Sequence, residues 1–324
     1  MAGPLKGYRV LDMSRILAGP WAGQLLADLG ADVVKIERPG CGDDTRHWGP
    51  PYLKDQDGNE TEDAAYFFCA NRGKKSVTID ITRSEGQDII RQLALQSDVL
   101  IENYKVGGLA KYGLDYSALK KINPKLIYCS ITGFGQTGPY ANRPGYDFLI
   151  QGMGGLMSIT GEPDSPDNKT AGPVKVGVAV TDLFTGLYAA NAIQGALLER
   201  HQSGVGQYID LALLDVQAAV LANQASNYLI GNLVPERLGN AHPNIVPYQA
   251  FATADSHIII AVGNDQQFAR FCKVIESPLM AEDPLYASNA NRVNNRQVLC
   301  ESISVSLRQK DSRHWLAAFE ANDV

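Results

Sequence analysis

Apolar residues along the first 200 positions fall into two kinds of segment. Short, continuously apolar runs have the composition of strands that are covered on both faces of a sheet, and they lie at residues 8–13, 31–37, 98–103 and 125–134. Intervening segments space their apolar residues along one face of a helix, and they lie at residues 20–30, 82–97 and 116–123. Because strand and helix alternate, the pattern predicts an α/β fold with a Rossmann-like, doubly wound parallel sheet.

The pattern changes after about residue 204. Residues 206–231 resemble a strand followed by a long helix, and residues 248–263 resemble two strands joined by an Ala-Asp-Ser turn, which predicts a hairpin. The last sixty residues look helical, with Asp311 or Ser312 as a helix cap. We therefore expect a large α/β domain at residues 1–200, a linker helix region at 201–224 and a smaller α+β domain at 225–324.

Two helix starts carry acids of interest. Thr82 with Glu85 three residues later is a capping-box pattern. Asp182 follows Thr181 at the start of a long apolar helix and has no basic residue close in sequence. One interpretation is structural, since Thr181 or Asp182 could cap the helix and an acid suits its positive end. The other is a nucleophilic or basic carboxylate that the helix amides hold ionised and aim at a ligand.

Composition narrows the class of protein. The chain of 324 residues has a net charge of −6, which argues against a nucleic-acid-binding protein. Its five cysteines are scattered without a CxxC pair, which favours reduced thiols and no structural zinc. No apolar stretch has the length of a membrane helix, and the N-terminus lacks a signal-peptide pattern. We expect a cytoplasmic protein that does not enter membranes, or a mitochondrial matrix protein if a presequence was removed.

Basic residues collect where the predicted strands end. They are Arg38, Arg46, Arg72, Lys74, Lys75 and Lys111. They are either solvated surface charges or a clamp for a phosphorylated ligand, because such folds bind ligands at the carboxyl ends of parallel strands. Glu37 at the end of the second strand is also typical of a dinucleotide-binding fold. The incomplete glycine pattern and the adjacent Arg38 argue against that interpretation. His242 lies in a turn-rich loop and is either solvated or near substrate.

Several motifs occur together in one order. They are LAGPWAGQLLADLGADVVKIERPGCGDDTRHWGPP, NRGKKSVTID, ENYKVGGLAKYGL, SITGFGQTGPYANRPGYDFL and VGVAVTDLFTGLYA. This set resembles the family III CoA-transferases, the group of formyl-CoA transferase and carnitine CoA-transferase. The segments NAHPNIVPYQAF and GNDQQFA are most similar to the succinyl-CoA:glutarate (succinate–hydroxymethylglutarate) branch of that family.

The resemblance implies a mechanism based on Asp182. Its carboxylate would attack a donor acyl-CoA and form a mixed aspartyl anhydride. The released CoA thiolate would then form an aspartyl-CoA thioester, which passes CoA to an acceptor carboxylate. Such activated intermediates require a site that excludes water. The substrates would be an acyl-CoA and small carboxylic acids, with no permanently bound cofactor and no metal.

The resemblance also implies roles for other residues. Positions matched to CoA binding are Arg38, Arg72, Lys75, Asn103, Tyr104 and Lys111. Positions assigned to substrate are Arg15, Leu17, Trp48, Tyr146 and His242. Arg15 and Leu17 stand where formyl-CoA transferase has a His and a Gln, and an added arginine suits the second carboxylate of a dicarboxylic acid such as succinate or glutarate.

Two alternatives share these motifs. An α-methylacyl-CoA racemase would use a histidine where Tyr146 stands, so the second base of a proton transfer is missing. A CoA-binding protein without catalytic activity is the other alternative, and the complete motif set with Asp182 argues against it. The family resemblance further implies an interlocked homodimer, in which a C-terminal return segment completes the first domain. The sequence ends at Val324, before that segment.

Overall fold

A six-stranded parallel sheet organises the first half of the molecule. The structure is a computed structural model that describes residues 3–164 and 172–324. Within those residues the strands are β1 (Arg9–Asp12), β2 (Asp32–Glu37), β3 (Tyr52–Lys54), β4 (Glu60–Ala64), β5 (Lys74–Thr78), β6 (Val99–Glu102), β7 (Ile127–Thr132), β8 (Tyr208–Ala212), β9 (Tyr248–Ala252) and β10 (His257–Ala261).

The described helices follow the strands closely. They are α1 (Ala18–Asp28), α2 (Ala65–Phe68), α3 (Ser84–Leu95), α4 (Tyr116–Ile122), α5 (Asp147–Met153), α6 (Val180–Ser203), α7 (Leu213–Val220), α8 (Ala222–Gly231), α9 (Asp265–Val274), α10 (Asn289–Asn294), α11 (Arg296–Leu307) and α12 (Ser312–Glu320). None of the helices in residues 3–164 and 172–324 is long and apolar enough to cross a membrane.

In the strand order β5-β2-β1-β6-β7-β8, successive strands are added in one direction from β1 to β5 and in the opposite direction from β6 to β8. The reversal point therefore lies between β1 and β6. All five strand pairs in this sheet are parallel, which confirms the predicted α/β architecture. In an open parallel sheet of this kind, the crevice outside the carboxyl ends of the strands at the reversal point binds ligands. The loops that follow β1 and β6 are therefore the first places to look for a site.

Alternate residues of the central strands supply two separate cores. Val10 and Ile101 face a core that contains Ile193 of α6, whereas their neighbours Leu11 and Leu100 face a second core. The period of two explains this division, because successive side chains of a strand point to opposite faces. Helices cover the sheet on both faces, so the central strands β6 and β7 are buried along almost their whole length, as the sequence pattern predicts.

Gly186 brings the start of α6 against the start of α1. A Cβ at this position would lie 2.8 Å from the carbonyl oxygen of Ala18 and 2.8 Å from a ring carbon of Trp21. Only a glycine permits so close an approach of the two helices. The contact places Asp182, one turn earlier in α6, beside the residues that follow β1.

Residues 158–174 and 226–324 belong to a second compact unit, while Met1–Met157 and Lys175–Ala225 form the first. In the second unit β9 and β10 pair antiparallel, which confirms the predicted hairpin. Its core packs Phe268, Phe271 and Trp315 against the apolar face of the hairpin. Asp311 accepts a hydrogen bond of 2.7 Å from the His314 amide, so this acid is the cap of α12, as predicted.

Some local predictions differ from the structure. The Thr82 hydroxyl and amide both donate to Asp80, and α3 begins at Ser84 without a side-chain cap, so the capping box at Thr82 is wrong. The single long helix predicted after the strand in residues 206–231 is two helices, α7 and α8. The break lies at Ala222, which has a φ of 46°. Residues 201–224, predicted as a linker helix region, hold β8 and α7 of the first unit. The domain boundaries at residues 200 and 225 stay a prediction.

Candidate active site

Two adjoining cavities lie in the first unit at the carboxyl ends of the central strands. The first, here called the aspartate cavity, has a volume of about 190 Å³, and its lining includes Arg15, Leu17, Asn103, Arg143, Tyr146 and Asp182. The second, here called the basic cavity, has a volume of about 380 Å³, and its lining includes Arg15, Glu37, Arg38, Asp80, Tyr104 and Lys111. Arg15, Tyr104 and Lys105 line both, so the two cavities meet at these side chains.

The first turn of α6 is capped from another helix. Asp147, the first residue of α5, accepts a hydrogen bond of 2.8 Å from the Thr181 amide and one of 3.4 Å from the Asp182 amide. Neither Thr181 nor Asp182 uses its own side chain as a cap, so the predicted capping role is wrong, although Asp182 does lie in the first turn of α6, where an acid suits the positive end of the helix. The Asp182 carboxylate is consequently available to the cavity that it lines.

Burial and charge leave Asp182 with an unusual pKa. Removal from water raises the pKa of this carboxyl to about 7, and the negative charge of Asp147 adds to the effect. The expectation that helix amides hold Asp182 ionised is therefore wrong, because Asp147 takes those amides instead. At neutral pH both protonation states of Asp182 are populated, which suits a group that has to become a nucleophile at physiological pH.

Buried polar side chains hold Asp147 in place. Gln151 donates a hydrogen bond of 2.7 Å to Asp147, one turn earlier in α5. The Oε1 atom of the same glutamine accepts a hydrogen bond of 2.9 Å from the Val176 amide. The Thr181 hydroxyl donates to Gln217 of α7 at 2.6 Å. Side chains from α5, α6 and α7 thus meet beneath Asp182 and set its position.

Tyr66, which the sequence analysis did not single out, lines neither cavity but lies near Asp182 and Asp147. Burial and the negative charges of Asp182 and Asp147 raise the pKa of its phenol to about 12, so the hydroxyl stays protonated and lies within electrostatic range of both acids. Trp48, predicted to bind substrate, lines neither cavity. Its ring instead packs edge-on against Tyr66, with 5.2 Å between the ring centroids. No short-range sequence signal distinguishes Tyr66 from the other aromatic residues of α2.

The loop between β1 and α1 is strained and firmly held. Ile16 has a φ of 70°, which a β-branched residue rarely adopts. Its amide donates to both carboxylate oxygens of Asp43 at 3.2 Å. The Asn103 side chain accepts from the Arg15 amide at 2.9 Å and donates to the Arg15 carbonyl at 2.7 Å. Asn103, predicted to bind CoA, therefore also fixes the loop that presents Arg15 and Leu17 to the cavity.

Buried ion pairs lie behind this loop. Lys35 is fully buried and its Nζ lies 2.8 Å from Asp43 and 2.9 Å from the Ser14 carbonyl. Lys74 forms a second buried pair with Asp12 at 2.8 Å. Lys35 lies in β2, and the second pair connects Lys74 of β5 with Asp12 of β1. The two pairs therefore anchor the strained loop to these three strands.

The basic cavity contains some of the residues predicted to bind CoA and lacks others. Arg38 and Lys111 line it, and Arg38 Nε donates to the Cys41 sulfur at 2.7 Å. Arg72 and Lys75 line neither cavity. Each instead forms an ion pair of 2.5 Å on the protein surface, Arg72 with Asp28 and Lys75 with Asp32.

Two residues predicted to bind substrate occupy settings that the sequence does not reveal. Arg15 lines the aspartate cavity but forms an ion pair of 2.8 Å with Asp44. His242 lies in the second unit, where its Nδ1 accepts a hydrogen bond of 3.0 Å from the Asn244 amide. Its ring centroid is 5.2 Å from that of Tyr248. Leu17 and Tyr146 line the aspartate cavity.

Similar curated proteins include CoA-transferases from bacteria and mammals. Succinate–glutarate CoA-transferase of Agrobacterium fabrum is 55% identical over 321 residues, which are 99% of this chain and 78% of that protein. The human succinyl-CoA:glutarate CoA-transferase is 46% identical over 99% of this chain and 70% of that protein. The crystal structure of a CAIB/BAIF family protein from Brucella suis has a TM-score of 0.82 and 52% identity, and the match covers 99% of this chain and 82% of that one.

The sequence model of CoA-transferase family III matches residues 5–324 and leaves almost none of the chain outside it. The chain therefore belongs to CoA-transferase family III and is a CoA-transferase that uses CoA thioesters as substrates.

Proposed function

We propose that the protein transfers CoA from succinyl-CoA to a dicarboxylic acid such as glutarate, with Asp182 as the nucleophile. The observation that carries the proposal is the setting of Asp182, a carboxylate that lines a cavity, lies near a second acid, Asp147, and has no ion-pair partner among residues 3–164 and 172–324. The names of the similar bacterial and mammalian enzymes support succinate and glutarate as the acids.

In the proposed reaction Asp182 attacks the thioester carbonyl of the donor, and the bond from that carbon to sulfur breaks. The products are a mixed anhydride with Asp182 and a CoA thiolate. The thiolate attacks the aspartyl carbonyl, which releases the donor acid and leaves an aspartyl-CoA thioester. The acceptor carboxylate attacks this thioester and expels the thiolate again. The thiolate then attacks the acceptor's carbonyl, which yields the new acyl-CoA and restores the Asp182 carboxylate.

The walls of the aspartate cavity suit these intermediates. Anhydrides and thioesters react with water, so the transfer requires that water be kept from the activated carbon. Leu17, Ile131 and Leu213 supply apolar surface to the lining. Tyr146 adds an aromatic side chain to this lining, while Tyr66 lies outside it but within electrostatic range of the carboxylate. The protonated Tyr66 hydroxyl is a hydrogen-bond donor for an oxygen that gains negative charge during acyl transfer.

CoA is proposed to extend from the basic cavity to Asp182. Arg38 and Lys111 supply positive charge for the phosphates of its nucleotide end. Tyr104 lines both cavities and marks the passage for the pantetheine arm. Arg72 and Lys75 take part in this proposal only if they leave their present carboxylate partners. The interlocked homodimer and the substrate role of His242 also stay predictions.

A covalent adduct tests the role of Asp182. Incubation with succinyl-CoA followed by peptide mass spectrometry is expected to show CoA, or the acid, attached to the peptide that contains Asp182. The adduct should be absent in Asp182→Asn. Glu102→Gln is the matched control, because Glu102 is also a buried acid with a pKa raised by burial to about 7 but lies outside the aspartate cavity.

The same samples separate the alternatives. Exchange of the α-proton of an acyl-CoA without any transfer of CoA would replace the proposal with a racemase. Binding of CoA with no adduct, no exchange and no transfer would indicate a binding protein. CoA transfer that survives in Asp182→Asn at the wild-type rate would remove Asp182 from the mechanism.

A further inference from the structure

The aspartate cavity contains three cationic side chains, Arg15, Lys105 and Arg143. An acid that accepts CoA is an anion at neutral pH, and it has to approach Asp182, which lies near a second acid, Asp147. Repulsion between these charges opposes binding unless a cation in the cavity compensates for it. The three cations differ in how far their charge is already used.

Arg15 has an ion-pair partner, and both Arg15 and Lys105 also line the basic cavity. The Arg15 guanidinium lies 2.8 Å from the Asp44 carboxylate, so its charge already has a partner. Arg15 and Lys105 both line the basic cavity as well, where the phosphates of CoA are proposed to bind. Neither side chain is therefore reserved for the acid substrate.

Arg143 lines the aspartate cavity and not the basic cavity. Across residues 3–164 and 172–324 no carboxylate lies within ion-pairing distance of its guanidinium. The guanidinium carbon lies over the Tyr140 ring, 4.3 Å from its centroid. An arginine that rests on an aromatic face keeps the N–H groups at its edge free for other partners.

The segment that carries Arg143 is anchored at both ends. The Arg143 amide donates to the Tyr140 carbonyl at 2.8 Å, and the Tyr140 ring packs against Phe134 with 5.5 Å between centroids. At the other end Gly145 lies against Gly133, where a Cβ on Gly145 would be only 2.2 Å from the Gly133 Cα. Because only glycine fits this contact, the turn is held against the end of β7.

We propose that Arg143 binds the second, non-reacting carboxylate of a dicarboxylic acid while the first carboxylate reacts at Asp182. The proposal rests on the CoA-transfer function proposed above and assigns to Arg143 the role that the sequence comparison suggests for Arg15. A planar guanidinium with five N–H donors can bind a carboxylate through two parallel hydrogen bonds. Arg143 would thereby set the preference of the enzyme for dicarboxylic over monocarboxylic acids.

The test compares glutarate with pentanoate, which has the same number of carbons and a single carboxylate. Both are assayed as CoA acceptors with the same donor, so that any effect on the donor cancels in the ratio of kcat/KM values. Arg143→Ala is expected to lower kcat/KM for glutarate by about 10- to 100-fold, while pentanoate changes by less than about threefold. Arg143→Lys should recover part of the loss.

Arg15→Ala is the matched control and should change the glutarate-to-pentanoate ratio much less than Arg143→Ala. The proposal is overturned if Arg143→Ala affects both acids equally, or if Arg15→Ala is the variant that lowers the ratio. If pentanoate turnover is too slow to measure, a large rise in the KM for glutarate at nearly constant kcat supports the proposal, and an unchanged KM rejects it. A wild-type enzyme that transfers CoA to neither acid would instead contradict the proposed function.

Discussion

Two groups of carboxylates lie near the same edge of the sheet, one buried and one half-buried, and their charged neighbours are of opposite sign. Asp12, Glu37 and Asp43 each have a cation within 2.8 Å, respectively Lys74, Arg46 and Lys35. Asp182 has an acid, Asp147, as its charged neighbour. Hydrogen bonds from Arg46, Ser76 and the Asp43 amide outweigh burial and lower the pKa of Glu37 to about 2, whereas burial and Asp147 raise that of Asp182 to about 7.

The contrast separates structural acids from a reactive one. A buried charge is costly unless it is paired and hydrogen-bonded. The first group meets this requirement and thereby holds the strained loop at Ile16 in place. Asp182 has no such pairing, so its ionisation lowers the stability of the fold. A destabilising group that is retained is typical of functional sites. Asp182 is less buried than Asp12, Glu37 and Asp43, and what marks it is that it lacks the cationic partner that each of them has.

The largest expected effect comes from Asp182 itself. Asp182→Asn keeps the size of the side chain and removes the nucleophile, so CoA transfer should fall by about 10⁴-fold or more, as for other enzymes that lose their nucleophile. Initial rates with succinyl-CoA and glutarate measure the loss. A residual rate near that of the wild type would mean that the unpaired acid is not the reactive group.

The same variant should be more stable than the wild type. The pKa of Asp182 is raised in the folded protein, so its ionisation costs stability above about pH 7 and costs nothing below the unfolded-state value near pH 4. Asp182→Asn removes this cost and should raise the free energy of unfolding by on the order of 1–2 kcal/mol at about pH 8, with little change near pH 4. Equal stability at both pH values would show that Asp182 is not destabilised by its surroundings.

The paired group predicts the opposite response. Lys35→Met leaves Asp43 buried without its cation and should lower the free energy of unfolding by about 3–5 kcal/mol. Lys75→Met is the matched control, because its ion pair with Asp32 is largely exposed and should be worth less than about 1 kcal/mol. Urea unfolding at neutral pH measures both. Similar losses in the two variants would remove the distinction between the buried pairs and the surface.

Sequence patterns predict the parts of this comparison that depend on neighbouring residues. β1, β2, β6, β7 and β8, the hairpin and the Asp311 cap follow from local spacing, whereas β3, β4 and β5 are not among the predicted strands, and the unusual position of Asp182 is visible in the sequence. Long-range contacts are not visible there. Nothing in the order of residues reveals that Asp147 caps α6 or that Asp44 pairs with Arg15. Thr82 shows a different limit, because the capping pattern does not reveal that a near neighbour, Asp80, takes its hydroxyl.

The pH dependence of catalysis gives a smaller and more specific effect. If Asp182 must be ionised to attack, kcat/KM should rise about tenfold between about pH 6 and about pH 8, with a midpoint near 7. Glu102 has a similarly raised pKa, so Glu102→Gln is the control and should leave the midpoint in place. Asp147→Asn should shift the midpoint downward, because a repelling charge is removed. If the pH profile of kcat/KM becomes flat in Glu102→Gln, the titrating group is Glu102 and not Asp182.

The smallest effect concerns what the paired group supports. The Lys35–Asp43 pair is expected to hold Ile16 at its positive φ. A glycine at position 16 adopts this φ without strain, so the stability of the variant should depend less on the pair. Ile16→Gly alone should change the free energy of unfolding by about 1 kcal/mol or less, since relief of strain offsets lost packing. In its background the loss caused by Lys35→Met should shrink by about 1 kcal/mol. Because the two residues are linked through Asp43, strict additivity of the two losses would show that the pair and the strained loop are independent, and the buried cations would then serve the sheet alone.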